Sequence, residues 1–525
     1  MHKILIANRG EIAVRVIRAC RDMGLASVAV YSECDRTARH VRMADEACAI
    51  GPSEPTASYL RIDRLLDVAR RTGADAVHPG YGFLAENAAF ASACNDAGLA
   101  FIGPSPDAIT LMGSKTSARQ AAVTAGVPVV PGTDHPFDEH DSESDVVSAA
   151  ERIGYPLLIK AVAGGGGKGM RRVDAPGELL GAVRAARSEA GTAFGDSAIY
   201  LERCLIRPRH IEVQLLGDHH GTVVPFVERE CSIQRRHQKV IEETPSPVVS
   251  LELRERLTRA AAAVATSVGY SSAGTIEFLV EEDGSFWFLE MNTRLQVEHP
   301  ITEMVTGIDL VEWQIRIARG EKLDIDPAMA MTPRGHAIEC RIYAEDPDAG
   351  FFPSPGRIAS LRVPDGPWVR DDSGVEAGGE VPIYYDPMVS KLAVWGADRA
   401  RAISRMKRAL REYDVFGIKT TVPFFRWFLH QPAFEKAAFH TGYLEEVLQA
   451  RQGEPFVEAA GHEEDAAAIA VALHLASRDA RGPDGGERGA GSRAGSETSE
   501  DRLPPAVDLR RHGWKVRSRL EALRS

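Results

Sequence analysis

The sequence predicts a mixed α/β (α+β) protein that opens with a Rossmann-like domain built on a parallel sheet. The apolar run 2–7 ends at a turn, 8–10, and apolar residues then recur at helical spacing from Ile12 to Cys20. A second apolar run, Ser27 to Tyr31, completes a β–α–β unit, whose two strands are parallel. Runs around 76–78 and 99–103 extend this sheet, and the rest of the chain is rich in strand patterns.

Composition and net charge argue against two classes of protein, nucleic-acid binders and membrane-spanning proteins. The chain has 525 residues, of which 44% are hydrophobic, and its formal net charge is -12. An acidic chain is a poor nucleic-acid binder, and no apolar run reaches the roughly 20 residues that span a bilayer. The start of the chain has no signal-peptide pattern, and the seven cysteines form no CxxC pair. We therefore expect a cytoplasmic protein without nucleic-acid or membrane partners.

We expect the chain to comprise six segments. They are a Rossmann-like domain (1–112), a linker (113–130), a lid (131–203), a larger core (204–330), a β-rich C-terminal domain (331–446) and a tail (447–525). Within the tail, Ser477 to Glu500 is dominated by Gly, Ser, Arg, Asp and Glu, which predicts a disordered linker. The final stretch, Trp514 to Leu523, has apolar residues at helical spacing and is either a frayed end or a docking peptide.

A glycine-rich loop follows a predicted strand that ends near Lys160. Glycines occupy positions 164–167 and 169, with Lys168 between them. Such a loop brings backbone N–H groups close to an anion, and the lysines add charge suited to phosphates. It is not a Walker A loop, because Gly169 stands where Ser or Thr is required. The alternative is a flexible surface turn. A dinucleotide site is not indicated, since the first turn of the chain lacks GxGxxG.

A hairpin turned by Asp283-Gly284 carries two carboxylates and an amide. With either a two-residue or a four-residue loop, Glu277 lies on the same face as Phe288, Glu290 and Asn292. The longer loop makes Glu277 and Glu290 diagonal neighbours. Carboxylate and amide oxygens are the ligands of Mg²⁺ that carries nucleotide phosphates. The alternative is a solvated polar face.

Two further clusters suggest anion chemistry. Arg294, Glu298 and His299 follow the hairpin directly and could bind a small anion and accept a proton, although a loop salt bridge between Arg294 and Glu298 is an alternative. The stretch from Arg229 to Lys239 is basic within an acidic protein, and the alternative is a solvated basic patch. Cys231 lies inside it without an identified activating partner, so we predict an inert thiol.

Several strings of this sequence, in order over residues 2–446, resemble biotin carboxylases, which are ATP-grasp enzymes. The strings are Ile6–Ala13, His78–Asn87, Gly113–Lys115, the glycine loop, Arg235–Lys239, Glu290–His299 and Phe352–Gly356. The resemblance implies an ATP-grasp fold with a Rossmann-like N-terminal domain, a mobile lid and a β-rich C-terminal biotin carboxylase domain.

The resemblance also implies roles for individual residues. Those that would bind ATP are Lys115, Lys160, Gly164, Gly165, Gly166, Gly167, Lys168, Gly169, Glu202, Leu205, His210, Gln234 and His237. Those that would ligate two Mg²⁺ or Mn²⁺ ions are Glu277, Glu290 and Asn292. Those that would bind bicarbonate are Lys239, Arg294, Gln296 and Val297, with Glu298 as the general base. Arg341 would stabilise the biotin enolate, and Tyr81 would lie near the biotin ring.

The implied reaction is ATP-dependent carboxylation of biotin by bicarbonate through carboxyphosphate, as the first half-reaction of an acyl-CoA carboxylase, with acetyl-CoA and fatty acid biosynthesis as the expected context. No Ala-Met-Lys-Met or Val-Met-Lys-Met biotinylation motif occurs in the chain. Biotin is therefore expected on a separate carrier protein, with carboxyltransferase subunits as further partners of a homodimer. The alternatives are another ATP-grasp carboxylate ligase and an inactive scaffold subunit. Intact candidate residues argue against the scaffold.

Overall fold

The computed structural model describes residues 1–133, 135–138, 140–162, 170–456 and 468–474. The predicted glycine loop, Gly164 to Gly169, lies outside the described residues, as do the predicted disordered linker and the terminal helix. The chain divides into two units, 1–457 and 458–525. In the second unit the described residues, 468–474, are helical.

The N-terminal domain is built on a five-stranded parallel sheet with the strand order β3-β2-β1-β4-β5, which confirms the predicted sheet. Its elements are β1 (Lys3–Ile6), α1 (Gly10–Asp22), β2 (Ala26–Ser32), α2 (Arg39–Met43), β3 (Glu46–Gly51), α3 (Ile62–Thr72), β4 (Ala76–His78), α4 (Ala88–Asp96), β5 (Ala100–Phe101) and α5 (Pro106–Gly113). Ile12, Val16 and Ile17 are buried, as the helical spacing of apolar residues predicts, and burial extends round α1 to Val14 and Arg15, so the helix is enclosed on most sides.

The segment that we predicted to be a linker, 113–130, contains a helix. Helix α6 (Lys115–Thr124) begins after Ser114, whose hydroxyl accepts a hydrogen bond from the Ser117 amide. Ala118 and Ala122 are buried in the apolar core of the central part of the chain. Small residues at helical spacing allow this close packing, so the segment is an integral part of the core.

The predicted lid, 131–203, has a sheet and an apolar core of its own. Its elements are α7 (Glu143–Ile153), β6 (Leu157–Ala161), β7 (Met170–Val173), α8 (Leu179–Phe194) and β8 (Ile199–Arg203). The three strands are antiparallel in the order β7-β6-β8. Val146, Ile159, Val183 and Leu201 belong to a separate cluster of buried apolar residues. A unit with its own core is suited to rigid-body motion, which stays a prediction.

A nine-stranded antiparallel sheet runs through the central and C-terminal parts of the chain. Its order is β14-β13-β9-β11-β12-β15-β22-β20, with β10 paired to β9. The central elements are β9 (Arg209–Gly217), β10 (Val223–Pro225), β11 (Arg229–Arg235), β12 (Gln238–Thr244), α9 (Leu251–Ser267), β13 (Ser272–Val280), β14 (Phe286–Asn292), α10 (His299–Thr306), α11 (Leu310–Ala318) and α12 (Pro327–Met331).

The C-terminal elements continue the same sheet, because β15 pairs with β12 across the predicted boundary at residue 330. They are β15 (His336–Tyr343), β16 (Glu345–Asp346), β17 (Phe352–Pro353), β18 (Gly356–Arg357), β19 (Ser360–Arg362), β20 (Val369–Ser373), β21 (Glu380–Val381), β22 (Met388–Gly396), α13 (Arg399–Glu412), β23 (Asp414–Phe416), α14 (Val422–Phe428), α15 (Pro432–Glu435) and α16 (Tyr443–Ala450). Within the described part of the chain, the helices are too short or too polar to cross a membrane.

The folded C-terminal domain extends past residue 446, where we placed its end. The ring of Phe456 packs on Trp427, Phe424 and Phe351, with centroid distances of 5.4, 5.8 and 6.2 Å. Its backbone amide donates a hydrogen bond to Asp348 (2.9 Å). We placed the boundary too early because the sequence strings that resemble the family all lie before residue 446, whereas the packing of the domain extends to Phe456.

We therefore expect a chain that ends at residue 457 to be more stable than one that ends at residue 446. The shorter chain loses the second half of α16 and the Phe456 ring, and burying one such side chain stabilises by about 1.5–3 kcal/mol. Thermal unfolding of both chains measures the difference. Phe456→Ala in the longer chain is the matched control and should account for part of it. Equal melting temperatures for all three would show that this packing contributes nothing.

Candidate active site

A buried lysine lies at the centre of the site. The Lys239 ammonium donates hydrogen bonds to Glu277 Oε1 (2.8 Å), Glu298 Oε1 (2.8 Å) and Glu212 Oε2 (2.5 Å). The three carboxylates come from β13, from the loop before α10 and from β9. Their side chains are almost completely buried. One ammonium group therefore holds together three segments that are far apart in sequence.

The charges around Lys239 set one another's ionisation. Burial lowers the pKa of Lys239, but Glu212, Glu277 and Glu298 outweigh it and raise the pKa well above its usual value. Burial raises the pKa of Glu298, but Lys239 and Arg341 outweigh it and hold the pKa well below its usual value. Both groups are therefore charged at neutral pH. Lys239 is a cation that can attract an anion, and Glu298 is a carboxylate that can accept a proton.

Arg341 connects this cluster to the C-terminal half of the sheet. Its Nη2 lies 3.0 Å from Glu298 Oε2, and its Nε donates to Glu242 Oε1 (2.6 Å). Lys239 and Glu242 lie three residues apart on β12, a spacing that normally puts side chains on opposite faces. The pairing of β11 with β12 shifts by one residue at Val240, so both side chains reach the same site.

The metal-ligand hairpin has a different loop from either predicted one. Glu281 and Ser285 pair through a backbone hydrogen bond (2.8 Å), which leaves the three-residue loop 282–284. Glu277 lies directly opposite Glu290, whereas Phe278 pairs with Phe288, so one extra residue is inserted in β14 between the two pairs. Our placement of Phe288 beside the carboxylates is wrong: this bulge turns it into the apolar core, where its side chain is buried.

The three predicted metal ligands lie together, and their charges suit a divalent cation. Asn292 Nδ2 donates to Glu277 Oε1 (2.8 Å), and Asn292 Oδ1 accepts from Arg294. Loss of hydration in the cleft raises the pKa of Glu290, and the charge of Glu277 raises it further. A divalent cation would relieve this repulsion, so the donor set fits Mg²⁺ or Mn²⁺.

A second group of possible metal ligands is already occupied by a cation. Ligand atoms of His210, Glu212 and Glu277 lie within 4.8 Å of one another, as do those of Glu212, Cys231 and Glu298. Both glutamate pairs bind the Lys239 ammonium, which serves as their counter-charge. Burial raises the pKa of Cys231 well above its usual value, so the thiol is protonated, in agreement with the predicted inert cysteine.

Several predicted nucleotide residues line the approach to Glu290. Lys160 forms an ion pair with Glu202, and Arg119 lies 3.5 Å from the same carboxylate. Burial lowers the pKa of Lys115, which feels the charges of Glu290, Lys160 and Glu202. The Lys115 ammonium thus interacts both with Glu290, the candidate metal ligand, and with the lid pair of Lys160 and Glu202.

The remaining predicted nucleotide residues lie on or next to β9 and β11. His210 Nε2 lies 2.9 Å from Glu277 Oε2, and its Nδ1 lies 2.9 Å from Gln234 Nε2. Leu205 is buried next to β8. His237 is exposed in the two-residue turn between β11 and β12, where it and Arg236 have positive φ values of 67° and 49°. Positive φ values are uncommon for residues other than glycine, so this turn has an unusual backbone conformation at two consecutive positions.

The predicted bicarbonate residues form a loop around Glu277. Arg294 forms an ion pair with Glu86 (2.8 Å), whereas Glu298 binds Lys239 and Arg341, so the alternative of a salt bridge between Arg294 and Glu298 is wrong. Gln296 Nε2 donates to Glu277 Oε1 (3.0 Å). The Val297 carbonyl accepts a hydrogen bond from Lys391 (2.9 Å).

Tyr81, the predicted biotin-ring residue, reaches the same region. The Lys391 ammonium lies 5.7 Å from the centroid of the Tyr81 ring. The Tyr81 carbonyl accepts a hydrogen bond from Asn8 Nδ2 (2.7 Å). Residues of the N-terminal domain therefore meet the C-terminal sheet at this side of the cleft.

Sequence reasoning missed several charged residues of this site. They are Glu11, Glu86, Glu212, Glu242, Glu339 and Lys391. Glu212 had a signal, because polar residues alternate at 210, 212 and 214 in an otherwise apolar strand. The alternative of a solvated patch for 229–239 is wrong for Arg229, which is fully buried and binds Glu212 and Gln214.

Three family comparisons cover most of the chain. Residues 1–109 match the biotin carboxylase N-terminal domain, 114–326 the ATP-binding domain of the carbamoyl-phosphate synthase L chain, and 339–446 the biotin carboxylase C-terminal domain. The fold and the carboxylate-rich cleft thus define a ligase of the ATP-grasp class.

Individual relatives are similar over nearly their whole length. The chain is 52% identical to the biotin carboxylase of Nostoc sp. over 85% of this chain and 99% of the relative. It is 54% identical to a pyruvate carboxylase subunit from Methanothermobacter thermautotrophicus over 85% and 89%. The biotin carboxylase domain dimer of Hydrogenobacter thermophilus 2-oxoglutarate carboxylase, solved with MgADP, ADP and bicarbonate, superposes with a TM-score of 0.81 at 46% identity, over 87% of this chain and 99% of that chain. The chain belongs to the biotin carboxylase family.

We expect Glu290→Gln to lower ATP turnover at least about 100-fold while the fold survives. A bound cation supplies several kcal/mol of charge stabilisation, and each 1.4 kcal/mol is a factor of ten. A Mg²⁺ titration of ATP hydrolysis measures the effect. Glu282→Gln, an exposed residue in the loop of the same hairpin, is the matched control and should behave like wild type. Near-normal turnover of Glu290→Gln across the titration would contradict the metal assignment.

Proposed function

We propose that the protein uses ATP to carboxylate biotin with bicarbonate, through carboxyphosphate. The observation that carries the proposal is the line of charges from Glu290 through Lys239 and Glu298 to Arg341. It joins a site suited to metal-bound phosphates to a guanidinium that faces a second substrate. The relatives and the nucleotide and bicarbonate of the similar solved structure support this assignment.

The nucleotide would lie between the lid and the hairpin. Lys115, Lys160 and the glycine loop would bind its phosphates, while Glu202, Leu205, His210, Gln234 and His237 would surround the rest. Glu277, Glu290 and Asn292 would hold two Mg²⁺ or Mn²⁺ ions, which neutralise phosphate charge when bound. Closure of the lid would exclude water from carboxyphosphate, which water destroys.

Bicarbonate would bind beside Lys239, Arg294, Gln296 and Val297, with its proton directed at Glu298. A carboxylate with so low a pKa is a weak base in isolation. Lys239, the charge that lowers this pKa most, also stabilises the extra negative charge that bicarbonate gains as it loses its proton. The ammonium that makes Glu298 a poor base therefore makes bicarbonate a better acid, and the transfer becomes feasible.

The second half of the reaction would take place on the Arg341 side. Carboxyphosphate yields CO₂ and phosphate, and phosphate accepts the N1′ proton of biotin. The negative charge then develops on the ureido oxygen, where the Arg341 guanidinium stabilises it, until the nitrogen attacks CO₂ and the charge passes to the new carboxylate. Tyr81 would contact the biotin ring.

The proposed setting is an acyl-CoA carboxylase in the cytoplasm. Biotin would be carried on a separate carrier protein, the chain would act as a homodimer, and a carboxyltransferase would choose the acceptor. Acetyl-CoA is the proposed acceptor. The pyruvate and 2-oxoglutarate carboxylases among the relatives make those acids the alternatives to test with co-purified partner proteins. All seven cysteines are free thiols, which supports a reducing compartment.

We expect Arg341→Ser to lower carboxylation of free biotin about 10²- to 10³-fold, the usual effect of removing one donor to a developing oxyanion. Bicarbonate-dependent ATP hydrolysis without biotin should fall much less, because carboxyphosphate forms without Arg341. Arg341→Lys keeps the charge but loses the planar fork, so it should fall between.

Glu298→Gln is the contrasting variant and should damage both activities, since the base acts before the two paths separate. Incorporation of labelled bicarbonate into biotin and release of ADP are measured in parallel. If Arg341→Ser lowers both by one factor, Arg341 serves the phosphate site or the fold instead. Absence of both activities in the wild-type chain would reject the proposed function itself.

A further inference from the structure

Arg341 is held by two carboxylates, and only Glu298 belongs to the proposed machinery. In the proposed reaction Glu298 takes the bicarbonate proton and becomes neutral, so it loses its attraction for Arg341. Glu242 is different: it is fully buried on β12, and its Oε1 binds Arg341 Nε at 2.6 Å. A charge that stays in place through the reaction is available only from Glu242.

Glu242 has an unusual neighbour. Glu339 on β15 lies directly opposite Glu242 in the β12–β15 ladder and is also fully buried. Side chains paired in this way have Cβ atoms about 4.5–5.5 Å apart. Among the described residues, neither oxygen of Glu339 has a hydrogen-bond partner, and neither does Oε2 of Glu242. A single proton on Glu339, donated to Glu242 Oε2, would give a partner to that atom and to one of the two Glu339 oxygens.

The surrounding charges favour that arrangement. The groups that face Glu339 are Glu242 from β12, Arg341 from its own strand, Lys391 from β22 and Glu298 from the loop before α10. Burial raises the pKa of Glu339 well above its usual value, and Glu242 and Glu298 add to this, against Lys391 and Arg341. Burial also raises the pKa of Glu242 to about 7, against the pull of Arg341. Two buried carboxyl groups side by side cannot both ionise, and the one without a direct cation partner keeps the proton.

We propose that Glu242 is the positioning residue of Arg341, and that Glu339 carries the proton that allows Glu242 to stay ionised. The proposal rests on the proposed function, because it concerns how Arg341 meets biotin. Glu242 Oε1 lies 2.6 Å from both Nε and Nη2 of Arg341 and so fixes that edge of the guanidinium plane. Glu298 shares Nη2 before proton transfer, and the ureido oxygen takes the place of Glu298 after it.

The test compares the same substitution at neighbouring positions in the full chain. Glu242→Gln should lower kcat for biotin carboxylation at least about tenfold, with bicarbonate-dependent ATP hydrolysis and the KM for ATP near wild type. In the Arg341→Lys background, Glu242→Gln should have much less additional effect, because the planar fork that it orients is gone. Glu339→Gln keeps an uncharged donor next to Glu242 and should retain most of both activities.

Glu228→Gln controls for the loss of any buried ion pair. Glu228 binds Arg254 away from Arg341, so this variant should lose stability with an unchanged ratio of the two activities. The infrared carbonyl band of a protonated carboxylic acid should be missing in Glu339→Gln relative to wild type.

Three results would overturn the proposal while leaving the proposed function intact in the wild-type chain. One is a Glu242→Gln variant that lowers both activities by one factor, as a purely structural residue would. Another is a Glu339→Gln variant as damaged as Glu242→Gln. The third is an unchanged infrared carbonyl band in Glu339→Gln. Failure of the wild-type chain to carboxylate biotin would instead reject the function on which the proposal rests.

Discussion

The active site depends on the ammonium group of Lys239. It neutralises carboxylates from β9, β13 and the loop before α10, which would otherwise repel one another in a space with little water. Removing one partner from a buried ion network typically costs about 3–5 kcal/mol, because a charge is left without compensation. Each member therefore fixes the others, and the anion site is organised before any substrate arrives.

The nine-stranded sheet makes this network possible. β12 supplies both Lys239 and Glu242, while its neighbour β15 supplies Arg341, so the proposed anion-binding group and the proposed biotin-facing group lie on adjacent strands of one sheet. Two register shifts, at Val240 in β12 and between Phe288 and Glu290 in β14, turn side chains onto the required face. Bulges next to active sites commonly have this effect, and here they concentrate charge on one surface.

Much of the fold and the membership of the site could be predicted from the sequence. The β–α–β opening, and the grouping of Glu277, Glu290 and Asn292, follow from local periodicity and alternation. The exact pairing of the hairpin could not, because strict alternation fails wherever an extra residue is inserted. The helix within 113–130 and the packing of Phe456 were missed for another reason: both depend on apolar partners elsewhere in the chain.

The missed acidic residues show the same limit in electrostatic terms. A glutamate in a strand usually indicates a solvent-facing position. Glu212 and Glu242 are instead fully buried, because Lys239, Arg229 and Arg341 reach them across the sheet. Whether a carboxylate is solvated or compensated depends on a partner that local sequence does not identify.

Carboxylates lie at both ends of the cleft, and their charge is compensated differently at the two ends. Glu290 is exposed, so a hydrated divalent cation can reach it and Glu277. Glu242 and Glu339 are fully buried on adjacent strands of the sheet, where desolvating a metal ion would be too costly, and in our proposal a proton removes the surplus charge instead. The exposed position of Glu290 thus makes the open end of the cleft the one suited to metal-bound phosphates. At the buried end, the proposed proton on Glu339 leaves Glu242 ionised to hold Arg341, and the guanidinium binds Glu298 until proton transfer and the oxygen of the second substrate afterwards.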